Sequence, residues 1–273
     1  PWVLTYLKHP VDGDFWRRNA LRWRYDAIRI PCYMIGGLLD GYRDTPIRML
    51  EHMRVPPQVE IGPWNHSWPD NGTPGPNYEW RAHAVEWWNH WLRGVVSAPP
   101  TSPRLTLFVR DGHPPDAERQ TTPGRWRTLD WPVPGASVLK LFPTAEHGLA
   151  SSSGANAQHT LGYQPGYGTV GGDWWGEPTG DMRPDDAGSL VYDGPVLTDS
   201  TEVIGMPTAD LQVTSDASIA NWVVRLADVA PHGAVALVTG PARHAPEPES
   251  MGPPTPRPAR PRRPPTRPPP SPP

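Results

Sequence analysis

The stretch Ile28-Arg29-Ile30-Pro31-Cys32-Tyr33-Met34-Ile35-Gly36-Gly37-Leu38-Leu39-Asp40-Gly41-Tyr42 decides the fold. Its apolar run shows no alternation, ends in paired glycines and gives way to an aspartate in a turn. A continuous apolar run bounded by turn residues fits a strand buried on both faces, as in a parallel sheet. Asp40 then sits at the strand's C-terminal end. Ile47, Leu50 and Met53 recur at helical spacing and predict a helix over residues 45–53. Val59-Glu60-Ile61 begins a second short strand, which runs through Gly62-Pro63-Trp64-Asn65 into a loop carrying His66. A second helix is predicted over residues 78–92, with Trp80, Ala84, Trp87, Trp88 and Trp91 as its apolar stripe, Asn77 as N-cap and Gly94 just past its end. Strand, helix, strand, helix is the closing half of an open α/β sheet, in which catalytic groups collect at the C-terminal strand ends.

Beyond Pro103 the pattern changes. Short alternating or β-branched runs over residues 105–110, 138–142, 190–192, 202–204, 211–214, 222–229 and 235–238 are separated by turns, and the expected architecture is an all-β sandwich. The Gly/Ser-rich connection of residues 144–187 contains Trp174 and Trp175 and reads as a binding loop or a wrap between elements.

The chain has 40 Pro and 26 Gly, a level that suggests low complexity, yet its 14 Trp and 37% hydrophobic residues are those of a folded protein. The excess is local. From Pro241 onward proline dominates, and six arginines face only Glu247 and Glu249. The expected organisation is therefore an α/β part over residues 1–98, a β domain over 99–240 and a disordered Pro/Arg-rich tail over 241–273. The tail reads either as out-of-frame translation of GC-rich sequence or as a polyproline ligand for an SH3-like partner. The total charge of −3 leaves the body acidic once the basic tail is set aside, which argues against a nucleic-acid partner. No run approaches a membrane span, so no membrane partner is expected. The single cysteine, Cys32, excludes a disulfide framework and leans toward the cytoplasm. The chain opens on Pro1-Trp2-Val3-Leu4 without a methionine and reads as part of something longer.

Asp40 at one strand end and His66 just past the next stand in the order of the last two members of the Ser, Asp, His arrangement of α/β-hydrolases. In that chemistry the histidine takes the nucleophile's proton and returns it to the leaving group, while the aspartate fixes the tautomer and stabilises the imidazolium. The other reading of the pair is a strand-end Asp capping the next helix and a loop His bonded locally.

Four segments resemble the cocaine esterase and X-Pro dipeptidyl-peptidase (CocE/NonD) family. His9-Pro10-Val11-Asp12-Gly13-Asp14-Phe15-Trp16 is similar to its HPxxDxFW element, and Ile30-Pro31 through Asp40-Gly41-Tyr42 to its strand and acid turn. Gly62-Pro63-Trp64-Asn65-His66 is similar to its histidine loop, and Glu86-Trp87-Trp88-Asn89-His90-Trp91-Leu92-Arg93-Gly94 to its WwDhWLkG helix. The resemblance covers about residues 1–240. It implies the C-terminal part of an α/β-hydrolase domain followed by a truncated jelly-roll β-sandwich, with Asp40 as acid and His66 as base of an enzyme that cleaves small ester, amide or peptide substrates. It implies no cofactor, and a homo-oligomer is possible because family members are often oligomeric. The family's nucleophile lies on an elbow well before the acid, whereas the first serine here is Ser67, and no GxSxG occurs. The expectation is therefore an acid and base without their serine, and a chain inactive alone. The rival from another class is a non-catalytic ligand- or carbohydrate-binding β-sandwich module.

The remaining candidates each have two readings. Tyr42 lines an acyl pocket or packs beside the acid turn. His83 and His90 lie seven apart on one helix, but no cysteine or carboxylate cluster completes a ligand set, so they are expected as surface histidines and no metal is expected. Asp12 and Asp14 anchor a loop rather than form a glycosidase pair. Trp174 and Trp175 stack on substrate or pack between elements. Asp181, Asp185 and Asp186 read as a solvated loop, with a calcium site second. Cys32, mid-strand, reads as a buried inert thiol.

Overall fold

The computed structural model describes residues 1–55, 57–95, 104–167, 179–217, 220–239 and the backbone of 242–245. Trp174, Trp175 and the tail from residue 246 lie outside the described residues. The chain enters through two short helices, α1 (Trp2–Leu7) and α2 (Asp14–Asn19). Then follow β1 (Tyr33–Gly37), α3 (Asp44–His52), β2 (Gln58–Gly62), α4 (Trp80–Arg93), β3 (Arg104–Arg110) and β4 (Gly124–Asp130). The four strands form one sheet in the order β1-β2-β3-β4, the first three parallel and β4 antiparallel to β3.

Helix α3 covers one face. Its Ile47 and Leu50 pack with Val59, Ile61 and Leu105 into the core, with Met34, Leu38 and Leu107 at its margin. Because successive side chains of a strand point to opposite faces, Glu60 between Val59 and Ile61 points to the other one. There α4 lies, with Trp87 against the Tyr33 ring at 5.7 Å and the His83 ring at Glu60. β2 is buried on both faces as expected, while β1, at the sheet's edge, is only half-buried.

Helix α4 starts two residues later than the sequence suggests. Glu79 caps it by accepting from the Arg81 N–H, while the amide of Asn77 donates to the carbonyls of Pro69 and Gly72 and holds the preceding loop. Gly94 ends the helix in the left-handed conformation at φ 62°, as its position implied. Of the tryptophan stripe only Trp87 is buried. Trp88 and Trp91 are exposed, and Trp80 stacks instead on Trp68 of the loop.

The β region departs most from expectation. Residues 105–110, read as the first strand of a sandwich, are β3 and continue the parallel sheet beside β2. Beyond β4 come β5 (Phe142–Pro143) and β6 (Leu149–Ala150), the four-residue helix α5 (Arg183–Asp186), β7 (Ala220–Val223), β8 (Leu226–Val229), β9 (Val235–Thr239) and β10 (Ala242–Ala245). These strands pair antiparallel as β5–β6, β7–β10 and β8–β9. The strands expected over 190–192, 202–204 and 211–214 do not form. Their alternating residues lack a partner surface, as the exposure of Val191, Val203 and Leu211 records, and β preference is expressed only against neighbours. β10 in turn lies inside the stretch read as tail, its backbone paired with β7.

Arg225 sits between β7 and β8 and reaches α5. Its guanidinium donates to Asp185 at 3.2 Å and Asp186 at 2.8 Å. The acidic run is thus no solvated loop: Asp185 is buried, and both carboxylates are held by one arginine, with Asp181 bonded to Arg183. Arg110 of β3 donates to the Val238 carbonyl at 2.6 Å and ties the large sheet to the β8–β9 hairpin.

Candidate active site at the parallel strand ends

The C-terminal ends of β1 and β2 lie side by side, Gly37 opposite Gly62. After β1 the chain turns sharply, with the Asp40 N–H on the Gly37 carbonyl and the Arg43 N–H on the Asp40 carbonyl. After β2 the chain continues through Pro63 and Trp64. The two turns are laced together: Leu38 N–H donates to Gly62 and Leu39 N–H to Trp64, at 2.8 and 3.1 Å.

This lacing brings together the two residues singled out at the strand ends. His66 Nδ1 lies 3.0 Å from both carboxylate oxygens of Asp40. A carboxylate only accepts, so Nδ1–H is the donor, and in the neutral ring this tautomer leaves the lone pair on Nε2. Asp40 also accepts from the Tyr42 N–H at 2.8 Å. The aspartate is largely buried and the histidine side chain 41% exposed, the arrangement of an acid held by the fold and an imidazole that can reach a reacting group. Asp40 is therefore no mere helix cap: α3 begins at Asp44, without a side-chain cap.

Tyr42 places its ring 5.6 Å from the His66 ring. It also lines a cleft of about 510 Å³ with Leu21, Arg22, Tyr25, Asp44 and Arg48. Burial raises the Tyr25 phenol above its ordinary value, with Arg48 and Arg22 pulling it down.

The HPxxDxFW element folds on itself. His9 stacks on Phe15 at 4.4 Å, Trp16 donates to the His9 carbonyl, and Asp12 pairs with Arg22. That is the anchoring reading of Asp12; Asp14 opens α2. Cys32 bonds only weakly to the Ile30 carbonyl, and burial pushes its thiol up, which opposes a nucleophilic role. Among the described residues no group of three or more metal-binding side chains occurs, and no helix is long and apolar enough to cross a membrane.

One group escaped the sequence reading. His83 is exposed on its helix as expected, yet its Nδ1 lies 3.1 and 3.2 Å from the two oxygens of Glu60, which is buried mid-strand in β2 and also accepts from the Tyr78 hydroxyl. The visible signal was a carboxylate flanked by Val59 and Ile61 in a strand otherwise apolar.

A family model described as the X-Pro dipeptidyl-peptidase C-terminal non-catalytic domain matches residues 100–253, and one described as X-Pro dipeptidyl-peptidase (S15 family) matches residues 1–68. The chain is 27% identical over 280 residues to a cocaine esterase of Rhodococcus sp. (strain MB1 Bresler), covering 88% of this chain and 46% of that protein. It is 27% identical over 239 residues to proteins named as candidate serine esterases in Mycobacterium bovis and Mycobacterium tuberculosis, covering 80% of this chain and 36% of each. The chain thus spans less than half the length of these relatives. With more than half of its residues matched by one family model and its first quarter by the companion model, the chain belongs to the X-Pro dipeptidyl-peptidase (S15) family.

Proposed function

We propose that this chain carries the acid and the base of a serine hydrolase that cleaves ester, amide or X-Pro peptide bonds through an acyl-enzyme. The observation that carries the reading is the contact of His66 Nδ1 with both oxygens of Asp40 at parallel strand ends. In this reading His66 Nε2 takes the proton of an attacking serine hydroxyl, the hydroxyl oxygen bonds to the substrate carbonyl, and the imidazolium returns the proton to the leaving group. Asp40 holds the ring in the tautomer this needs and balances its transient charge. Tyr42 lines the acyl pocket, opening on the neighbouring cleft. No serine precedes Ser67 in the 273 residues, so the nucleophile and its oxyanion donors come from polypeptide outside them. The strands beyond β4, proposed as part of a jelly roll, take no part in proton transfer.

The test has two arms. The 273-residue chain alone is expected to leave p-nitrophenyl acetate and an X-Pro p-nitroanilide uncleaved above buffer. Joined to a serine-elbow segment, sought in the DNA upstream of the Pro1 codon, it is expected to cleave at least one of them. Turnover by the chain alone, or turnover of the joined protein that survives His66→Ala, refutes the assignment; absence of any elbow-encoding segment favours a non-catalytic binding module.

A further inference from the structure

The buried Glu60 has no part in the chemistry above, yet two side chains engage it. It projects from the middle of β2 toward α4 and takes the Tyr78 hydroxyl and the His83 ring together. The Tyr33 hydroxyl of β1 is buried close by without hydrogen-bond geometry of its own, its proton held on by burial first and then by the Glu60 charge. Burial, and then the bond to Glu60, likewise keep the Tyr78 phenol protonated. Glu60 is two residues before Gly62 and six before His66.

What links it to the site is Trp64. The Tyr78 ring packs on the Trp64 indole at 5.8 Å, and Trp126 of β4 closes on both, at 5.9 Å from Trp64 and 5.6 Å from Tyr78. Trp64 is fully buried. Its carbonyl receives the Leu39 N–H at the acid turn, and the next residue, Asn65, donates its N–H to Thr73 and accepts the Thr73 N–H on its side chain. Trp64 thus connects the turn of the acid with the loop of the base, its indole lying against Gly37 at the end of β1, and Tyr78 packs on that indole.

We infer that Glu60 is a positioning residue for the Asp40–His66 pair, acting through the Tyr78 hydroxyl and the Trp64 indole. The carboxylate fixes the phenol, the phenol fixes the tilt of the ring on Trp64, and Trp64 sets the separation of the two turns. Removing the phenol hydroxyl leaves the buried carboxylate short of a bond, removing the carboxylate leaves the phenol without its acceptor, and the cheapest relief is a shift of the Tyr78 loop that unseats the indole. This inference rests on the catalytic reading of Asp40 and His66, but its test reads their hydrogen bond directly, so the two fail separately.

The experiment is ¹H–¹⁵N NMR of the 273-residue chain labelled at the histidine rings. The Nδ1–H signal of His66 is identified by its disappearance in Asp40→Asn. In Tyr78→Phe, which keeps the ring and loses only the hydroxyl, and in Glu60→Leu, this proton is expected to exchange with water at least about tenfold faster, or to vanish. Glu60→Gln, which still accepts from Tyr78, is expected to retain it. The His159 signal, whose ring bonds to Tyr192 away from the site, reports that each variant is folded. An unchanged His66 signal in folded Tyr78→Phe overturns the inference, as does loss of the signal in Glu60→Gln equal to that in Glu60→Leu. Should Glu60→Leu fail to fold, Tyr78→Phe and Glu60→Gln alone decide it.

Discussion

Replacing Arg225 with methionine keeps the length of the side chain and removes the charge that holds α5. In the structure the guanidinium is 17% exposed and bonds Asp185, itself 2% exposed, and Asp186, 26% exposed. Breaking a buried ion pair by deleting one partner costs about 3–5 kcal/mol, because the remaining charge keeps its desolvation without its compensation. Partial solvation of Asp186 places this case at the lower end, about 3 kcal/mol at pH 7. The pH dependence follows from Asp186. Its carboxyl stands above its ordinary value through burial, with Arg225 pulling it down. Without Arg225 it rises further, so the folded variant binds a proton more tightly than the unfolded chain. The deficit is then complete above the folded pKa and shrinks as the pH falls toward the ordinary aspartate range, near 4. Thermal unfolding followed by circular dichroism should show the midpoint of Arg225→Met lowered by roughly 6–12 °C at pH 7, and by clearly less at pH 4.5. A loss below about 1 kcal/mol at pH 7, in the range of an exposed pair, refutes the clamp, and a loss that grows on acidification refutes the assignment to Asp186.

Three further expectations bear on the site. In the enzyme completed with a serine elbow, Asp40→Asn should lower kcat on the order of 10⁴-fold by presenting the wrong tautomer, read from steady-state ester hydrolysis. Tyr42→Ala should raise KM for bulky acyl esters more than for acetyl esters, and equal changes across a series of acyl lengths would remove Tyr42 from the pocket. Trp64→Ala should cost about 3–5 kcal/mol in denaturant unfolding, because a fully buried indole is lost from between β2, β4 and the Tyr78 loop.

The part of the molecule that was legible in sequence is the part governed by local rules. The parallel strand could be read because its residues alone carry the pattern, although the run expected from Ile28 shortens to Tyr33–Gly37, and Asp40 and His66 followed because each stands just past a strand end. Gly94 was readable for the same reason. Where the outcome depends on distant partners the sequence was silent or misleading. The alternation around Val203 and Leu211 is that of a strand, but no neighbouring strand pairs with it among the described residues. The Asp185–Arg225 bond spans 40 residues, and Glu60 meets Tyr78 and His83 across 18 and 23, separations at which no motif spacing applies. The jelly roll came from family resemblance alone, and the described strands beyond β4 form separate two-stranded sheets.

Trp64 lies against Gly37, Gly62 and Gly72, and a Cβ at any of them would overlap the indole or the backbone beside it. The consequence is epistasis among four positions, three of them within ten residues and the fourth on the preceding strand. An alanine at Gly62 is intolerable beside tryptophan and admissible beside a smaller ring, so a combinatorial library selected for folding should return changes at 62 and 64 together and seldom singly. Since the same indole spaces the acid from the base, survivors of such a library would sort by the reach of the imidazole, and evolving the loop for a new leaving group would have to begin at the glycines.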